Sequence, residues 1–453
     1  MAIPYTPREK SLRKLLTMKH VVRRAVLLMG IVAAASALGT APAQAAPWLK
    51  YGIQDDAWLA YGSPAAPQPD DRLAVLNRLG VDVVRYTLRW DLVAPLPPQR
   101  ADDPDDPAYQ WLGPDDTALE ALHRAHIAVL LTIWGTPWWA NSGHAPPYAP
   151  RSRSALAQFA TAAAKRYPWI RMWEVWNEPN QLGGLKPNSP ELYVDRLLNP
   201  TVDALHSVNP ANRVAGGATS PRATKTAMSA VAFMRRMARA GARFDAYSHH
   251  PYPRAFGRGK LESPLQILPC TLWLTMANLG CLLHEVRRDF GPKPVWLTEY
   301  GYKSNPPDSW RGVPLGLQAR YIGEAELRAY RAAGVNILIQ FLVRDEPVVG
   351  RWASGFLTAR DTKKPSFYAY MLPLAEAFRR GSRTTLWGQI RPRSGPQRYQ
   401  LQRYRRGRWV AAGPVTTTTR LGYFTRVVFA RPGERLRIWS PADRAASPPL
   451  AVR

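Results

Sequence analysis

The sequence predicts an α/β fold, a (β/α)8 TIM barrel, with a small C-terminal all-β, sandwich-like domain. Three observations predict it. Eight short, uniformly apolar segments recur from Leu49 to Val343, and a helical stretch separates each from the next. Strands this apolar suit a parallel sheet covered by helices on its outside, and eight such units suit closure into a barrel. Past about residue 381 the alternation gives way to period-two runs broken by Gly and Pro turns.

Leu49–Asp56 is the first strand. Asp70 and Asp71 can cap a helix with Leu73, Leu76 and Leu79 on one face, which stops at Gly80. Val81–Leu88 is apolar and β-branched, as a strand should be. Asp115–His126 reads as a helix with Leu119 and Leu122 inward, and Ile127–Trp134 as the third strand. In Ala155–Tyr167, Leu156, Phe159, Ala160 and Ala163 repeat at helical spacing. Ile170–Trp176 is the fourth strand. Ser189-Pro190-Glu191 has the N-cap and first-turn proline of a helix start, and Pro200 interrupts the helical stretch beyond it. Arg213–Thr219, Phe244–His249, Val295–Tyr300 and Val335–Val343 complete the eight, and a helix over Ser366–Arg380 closes the barrel. An open doubly wound sheet is the alternative, but it would normally carry a glycine-rich turn after its first strand, where Gln54-Asp55-Asp56-Ala57 stands. The expected division is a signal peptide over 1–45, a barrel over 46–380, a β-sandwich-like domain over 381–441 and a loose Pro/Ala tail over 442–453.

Composition narrows the function classes. Basic residues from Lys10 to Arg24 precede an apolar stretch, Ala25–Gly39, and Ala43-Gln44-Ala45 offers a small-residue cleavage site. The expectation is a secreted, extracellular protein; an uncleaved anchor is the alternative. No later stretch approaches the roughly 20 apolar residues of a membrane span. Export permits a disulfide between the two cysteines, Cys270 and Cys281. No CxxC or HExxH pattern suggests a metal, so the expected chemistry rests on side chains alone. The net charge is +28, and the last 73 residues concentrate it, with fifteen Arg against two acidic residues. That suggests an acidic glycan or an anionic cell surface as partner; an arginine-rich soluble coat is the plain alternative. Export and the lack of a recognition motif argue against nucleic acid.

In a barrel of this kind the reacting groups stand where strands end. Those positions hold Asp55, Asp56, Arg85, Trp134, Asn177, Glu178, His249, His250, Glu299 and Gln340. Two glutamates, Glu178 and Glu299, close strands four and seven and can face each other across the barrel mouth. Retaining glycosidases need such a pair, one carboxyl to protonate the leaving oxygen and one carboxylate to attack the anomeric carbon.

Trp173-Glu174-Val175-Trp176-Asn177-Glu178-Pro179-Asn180 resembles the Asn-Glu-Pro signature of clan A glycoside hydrolases. The resemblance implies that Glu178 is the acid/base and that Asn177 binds the sugar 2-hydroxyl. Val295–Gly301 resembles the clan's strand-seven nucleophile segment, which implies Glu299 as nucleophile. Gly80–Arg85 is similar to the strand whose arginine lies beside that nucleophile. Ser248-His249-His250-Pro251-Tyr252 matches a His-Pro-Tyr pattern, implying that His250 lines the sugar site and that Tyr252 hydrogen-bonds Glu299. The resemblance covers residues 49–380 and is closest to family 39 and to family-5-like endoglycosidases of bacterial exopolysaccharides. That narrower likeness rests on the His-Pro-Tyr segment, on Thr136-Pro137-Trp138-Trp139-Ala140, and on Gly355-Phe356-Leu357 followed by Lys364-Pro365. In place of the clan's frequent strand-eight tryptophan stands Gln340-Phe341, with Trp352 in the next loop as the candidate replacement. Glu174 and His249 are read as structural. Trp134, Trp138, Trp139 and Trp176 are candidates for stacking on sugars, and the long segments after strands three, six and eight could wall a groove. The expected function is thus a secreted, retaining, endo-acting hydrolase of a polysaccharide that needs no cofactor. A non-catalytic glycan or cell-surface binding protein on a barrel scaffold is the alternative.

Overall fold

The computed structural model describes residues 46 and 48–453 apart from 112, 349, 392 and 393. The expected signal peptide lies outside the described residues. Eight strands close a barrel: β1 (Lys50–Gln54), β2 (Val83–Arg89), β3 (Ala128–Trp134), β4 (Met172–Val175), β5 (Arg213–Thr219), β6 (Ala246–His249), β7 (Val295–Tyr300) and β8 (Val335–Phe341). Each pairs in parallel with its neighbours, and β8 closes on β1 through Ile53↔Gln340 and Gln54↔Phe341. The open doubly wound alternative is thereby excluded.

The principal outer helices are α1 (Pro69–Leu79), α2 (Gly113–Arg124), α3 (Ala155–Arg166), α4 (Asn199–Val208), α5 (Ala230–Arg239), α6 (Leu279–Phe290), α7 (Leu315–Tyr330) and α8 (Pro365–Met371). Their ends obey local chemistry. The α1 cap is Gln68, whose backbone N–H donates to the Asp71 carboxylate at 3.0 Å, and Gly80 ends the helix in the left-handed region at φ +71°. Ser189 accepts a hydrogen bond from the Leu192 N–H, as its place before Pro190 implied. The apolar faces expected of these helices point inward: Leu76, Leu79, Leu119, Leu122, Leu156 and Phe159 are all buried. No helix among the described residues is long and apolar enough to cross a membrane.

The last barrel helix is shorter than expected. It stops at Met371, just before Pro373, and Leu374–Arg380 becomes a strand, β9, of the C-terminal domain. Strands β9, β10 (Arg383–Gln389) and β13 (Tyr423–Phe429) form one antiparallel sheet. Strands β11 (Arg398–Arg405), β12 (Arg408–Ala411) and β14 (Arg435–Ser440) form most of a second. Leu386, Tyr399, Leu401, Phe424, Leu436 and Ile438 fill a core between the two sheets. The tail expected to be loose is attached instead. Leu436 pairs with Leu450 in the sheet ladder, and Leu450 and Val452 are buried.

This domain packs on the barrel wall. Arg391 lies in an ion pair with Glu326 of α7, with its guanidinium carbon 4.1 Å from the Tyr51 ring centre and 4.4 Å from that of Tyr370. Tyr330 packs against Trp387 and Tyr423 with tilted rings, their centres 5.3 and 4.7 Å away. Cys270 and Cys281 form a disulfide that ties the segment after β6 to α6.

Candidate active site

Arg85 is the hub of the site. It sits on β2, fully buried, and its guanidinium reaches four side chains at once. Nε donates to Glu174 Oε2 at 2.7 Å, Nη2 to Asn177 Oδ1 at 2.8 Å, and Nη1 both to Glu299 Oε1 at 2.6 Å and to Gln54. A rigid fork with five N–H donors is the one side chain able to do this. Glu174 has the structural role expected of it. Burial is the largest influence and raises its pKa, but the Arg85 cation, His250 and hydrogen bonding together more than offset this and hold the net value below the ordinary glutamate range. Thr132 adds a further hydrogen bond to it at 2.8 Å.

Glu299 receives a second donor from Tyr252, whose hydroxyl lies 3.0 Å from Oε2. Burial, with the negative charges of Glu299 and Glu178 nearby, raises the Tyr252 pKa well above that of an ordinary phenol, so the phenol keeps its proton. Glu178 faces this group from the end of β4. One of its carboxylate oxygens, one of Glu299's and a His250 ring nitrogen all lie within 4.8 Å of one another. Gln181 donates to Glu178 Oε2.

The backbone that carries Glu178 is unusual. Trp176 and Glu178 both have positive φ, +75° and +45°, a region that costs a bulky residue roughly 1 kcal/mol or more. The surroundings hold it there. Glu178 N–H donates to Ala218 C=O at 2.9 Å, Trp176 Nε1 donates to Gly184 C=O at 2.8 Å, and the Tyr193 hydroxyl donates to Val175 C=O at 2.8 Å. Asn180, buried, pins the same turn to Ser220 and Met228. Gly184 passes so close that a Cβ there would lie 2.0 Å from the Glu178 carbonyl oxygen.

His250 departs from expectation. It does not line the open cavity but is fully buried behind the two glutamates, with Nδ1 at 3.1 Å from Glu178 Oε1 and 3.6 Å from Glu299 Oε2. Burial lowers its pKa, but the two carboxylates more than offset this and the net shift is upward. His249 is the packed histidine expected, bonded to Thr219 and the Leu274 carbonyl. Burial brings its pKa down to about 3, so it is neutral.

A cavity of about 610 Å³ opens over the pair. Asn177, Glu178, Tyr252, Glu299, Trp134 and Trp352 line it as expected. Gln340 does not. It projects from β8 toward α7 and donates to the Phe341 and Ser354 carbonyls, while its neighbour Phe341 takes the cavity face. Trp352, the candidate replacement for a strand-eight tryptophan, stands on the cavity wall, packed 5.1 Å from Tyr252 and 5.3 Å from Phe341. Of the four candidate tryptophans near strands three and four, only Trp134 reaches the cavity. Trp176 is buried, and Trp138 and Trp139 donate to the Pro95 and Ala94 carbonyls. Of the three long segments, the one after β8 supplies Trp352, whereas those after β3 and β6 supply no lining residue.

Several lining residues escaped the sequence reading, among them Tyr61, Arg89, Asp115, Gln181 and Arg222. Gln181, three residues past Glu178 in the same turn, was the one within reach of it. Asp55 is structural: it caps the short helix Asp56–Tyr61 and accepts from the Val343 and Arg344 N–H groups, closing β1 onto the loop after β8. Asp56 lines the cavity, with its pKa raised by burial.

No family model and no curated protein sequence matches the chain. Among solved structures it is similar to a family 39 glycoside hydrolase from the gut symbiont Bacteroides cellulosilyticus WH2. The identity is 17% and the TM-score 0.56, over 86% of this chain and 80% of that one. It is also similar to a family 39 glycoside hydrolase from Xanthomonas axonopodis pv. citri, with 15% identity and a TM-score of 0.54, over 87% of this chain and 95% of that one. At such identities the likeness is one of fold, and the chain has the barrel fold of the family 39 glycoside hydrolases.

Proposed function

We propose that the protein is a secreted, retaining glycoside hydrolase of the clan A type that cleaves a polysaccharide within its chain. The observation that carries this reading is the Glu178/Glu299 pair at the barrel mouth, with carboxylate oxygens within 4.8 Å and Glu299 held by both Arg85 and Tyr252. Retention needs carboxyl groups about 5–5.5 Å apart, whereas inversion needs roughly 6.5–9.5 Å to seat a water between them. In this reading Glu299 attacks the anomeric carbon as Glu178 gives its proton to the departing glycosidic oxygen. Glu178 then takes a proton from the water that releases the sugar from Glu299, which restores both groups. Asn177, its Oδ1 held by Arg85, is left with its amide N–H groups to bond the sugar 2-hydroxyl.

An internal cut is supported by the breadth of the cavity wall, which takes in Tyr61 and Leu92 as well as Ser220 and Arg222. Secretion is supported by the Cys270–Cys281 disulfide, a bond that persists in oxidising compartments. The test is hydrolysis of a panel of aryl glycosides and bacterial exopolysaccharides by wild type, Glu299→Gln and Glu178→Ala. The wild type should cleave at least one member and Glu299→Gln none. Glu178→Ala should keep the glycosylation step on activated substrates and regain turnover with azide. Tight binding of a glycan by the wild type with no cleavage would overturn the reading in favour of a binding protein. Product lengths over time separate internal from terminal cleavage.

A further inference from the structure

The outer face of the β11–β12–β14 sheet carries an aromatic and arginine array that the proposed reaction does not use. Strand alternation turns Leu401, Leu436 and Ile438 into the domain core, and therefore Gln402, Tyr404, Arg435, Arg437 and Trp439 outward. Trp409 of β12 stands directly opposite Tyr404. The rings and cations are layered together. The Arg435 guanidinium carbon lies 3.9 Å from the Tyr404 ring centre and that of Arg437 lies 4.3 Å from the Trp409 ring, with the two rings 5.2 Å apart. Arg437 Nε also donates to Gln402 Oε1 at 2.8 Å. All three aromatic residues are only partly buried.

The charge on this face is not neutralised. Among the described residues, Glu434 pairs with Arg403 and Arg405, and neither Arg435 nor Arg437 has a carboxylate partner. A guanidinium lying on an aromatic ring keeps its N–H edge free to grip a carboxylate in a bidentate fork. The same rings offer flat apolar surface to the C–H face of a sugar.

We propose that this face is a second glycan-binding site, and that its ligand is a carboxylated, uronic-acid-containing polysaccharide. The site lies on a different sheet from the cavity and needs no turnover to be measured. Aromatic rings spaced between arginines favour such a chain over a bare polyanion, which would require the charges alone.

The test uses the full-length protein carrying Glu299→Gln, so that nothing is consumed, in affinity electrophoresis against polygalacturonate, dextran and single-stranded RNA. Retardation by polygalacturonate and not by dextran is the expected result. Arg435→Gln/Arg437→Gln should weaken it roughly tenfold, since two charge-assisted contacts are lost. Trp409→Ala should weaken it as well. Gln402→Glu removes no existing packing and places an anion against Arg437, so it should weaken the binding without lowering the melting temperature. In the otherwise wild-type chain, Gln402→Glu should leave aryl-glycoside turnover unchanged. Polygalacturonate binding that ignores both Gln402→Glu and the double arginine substitution would overturn the proposal. So would no polygalacturonate binding, or RNA displacing polygalacturonate from the intact face.

Discussion

Arg85 Nη1 lies 2.6 Å from Glu299 Oε1, and the same buried guanidinium holds Asn177 and Glu174. One side chain therefore fixes the carboxylate proposed to attack and the residue read as the 2-hydroxyl contact in a common frame. Arg85→Lys keeps the charge but loses the fork, and an ammonium on a flexible stem cannot reach all these acceptors in their present geometry. Turnover should fall about 10²-fold, the order of loss when a preorganised electrostatic donor is removed. Arg85→Met should also destabilise the fold by about 3–5 kcal/mol, because Glu174 would be left buried without its cation. Steady-state kinetics and urea unfolding check both.

The turn that presents Glu178 depends on Gly184. A Cβ there would lie 2.0 Å from the Glu178 carbonyl oxygen and 2.6 Å from that of Asn177, both backbone atoms with no rotamer to escape into. Gly184→Ala must therefore push the Glu178 turn away. The expected cost is about 1–3 kcal/mol of stability, as for other overpacked sites. Hydrolysis should fall by at least about tenfold, because the reacting geometry tolerates only small displacements. Normal turnover by a folded Gly184→Ala protein would contradict the close approach.

His250 makes stability depend on pH in a definite direction. Burial lowers its pKa, but Glu299 and Glu178 beside it raise the net value above the ordinary histidine value of about 6.5. Between those two values the folded chain holds a proton that the unfolded chain has released. Stability from this group is thus complete below the ordinary value and is lost as pH rises through the raised one. The stability gap between wild type and His250→Gln should accordingly be widest at mildly acid pH and shrink on the alkaline side. Chemical unfolding of both proteins across pH 5–9 measures it, and a gap that grows with pH would reverse the sign.

The barrel was legible because parallel strands buried on both faces read as largely apolar runs, of which Ala128–Trp134 is the plainest, with a single threonine among apolar residues. The Glu178 and Glu299 pair was legible because both glutamates close such strands. What was illegible depended on tertiary packing. Leu374–Arg380 is rich in helix formers, yet Pro373 cannot extend the helix before it, and pairing with Arg383–Gln389 captures the segment as a strand. The tail's Pro and Ala content concealed the burial of Leu450 and Val452. At the site, the sequence told His249 from His250 but not how deeply His250 lies: it meets the two glutamates from behind, buried, and does not line the cavity.

Gln340 shows the same limit and gives the last prediction. It ends a strand, where a substrate contact is expected, yet one residue decides which way a side chain on β8 points, and Phe341 has the cavity face. The Gln340 amide instead donates to the Phe341 and Ser354 carbonyls, which braces the end of β8 against the loop carrying Trp352. Gln340→Leu should cost about 1–3 kcal/mol, the penalty for leaving a buried acceptor unmet. It should change KM little. Trp352→Ala, on the cavity wall, should do the opposite: it should raise KM about tenfold with less change in stability, since its ring is partly exposed and packs on Tyr252 and Phe341. Kinetics and thermal unfolding of the two variants side by side distinguish a brace from a binding surface. A raised KM in Gln340→Leu with unchanged stability would return Gln340 to the substrate's wall.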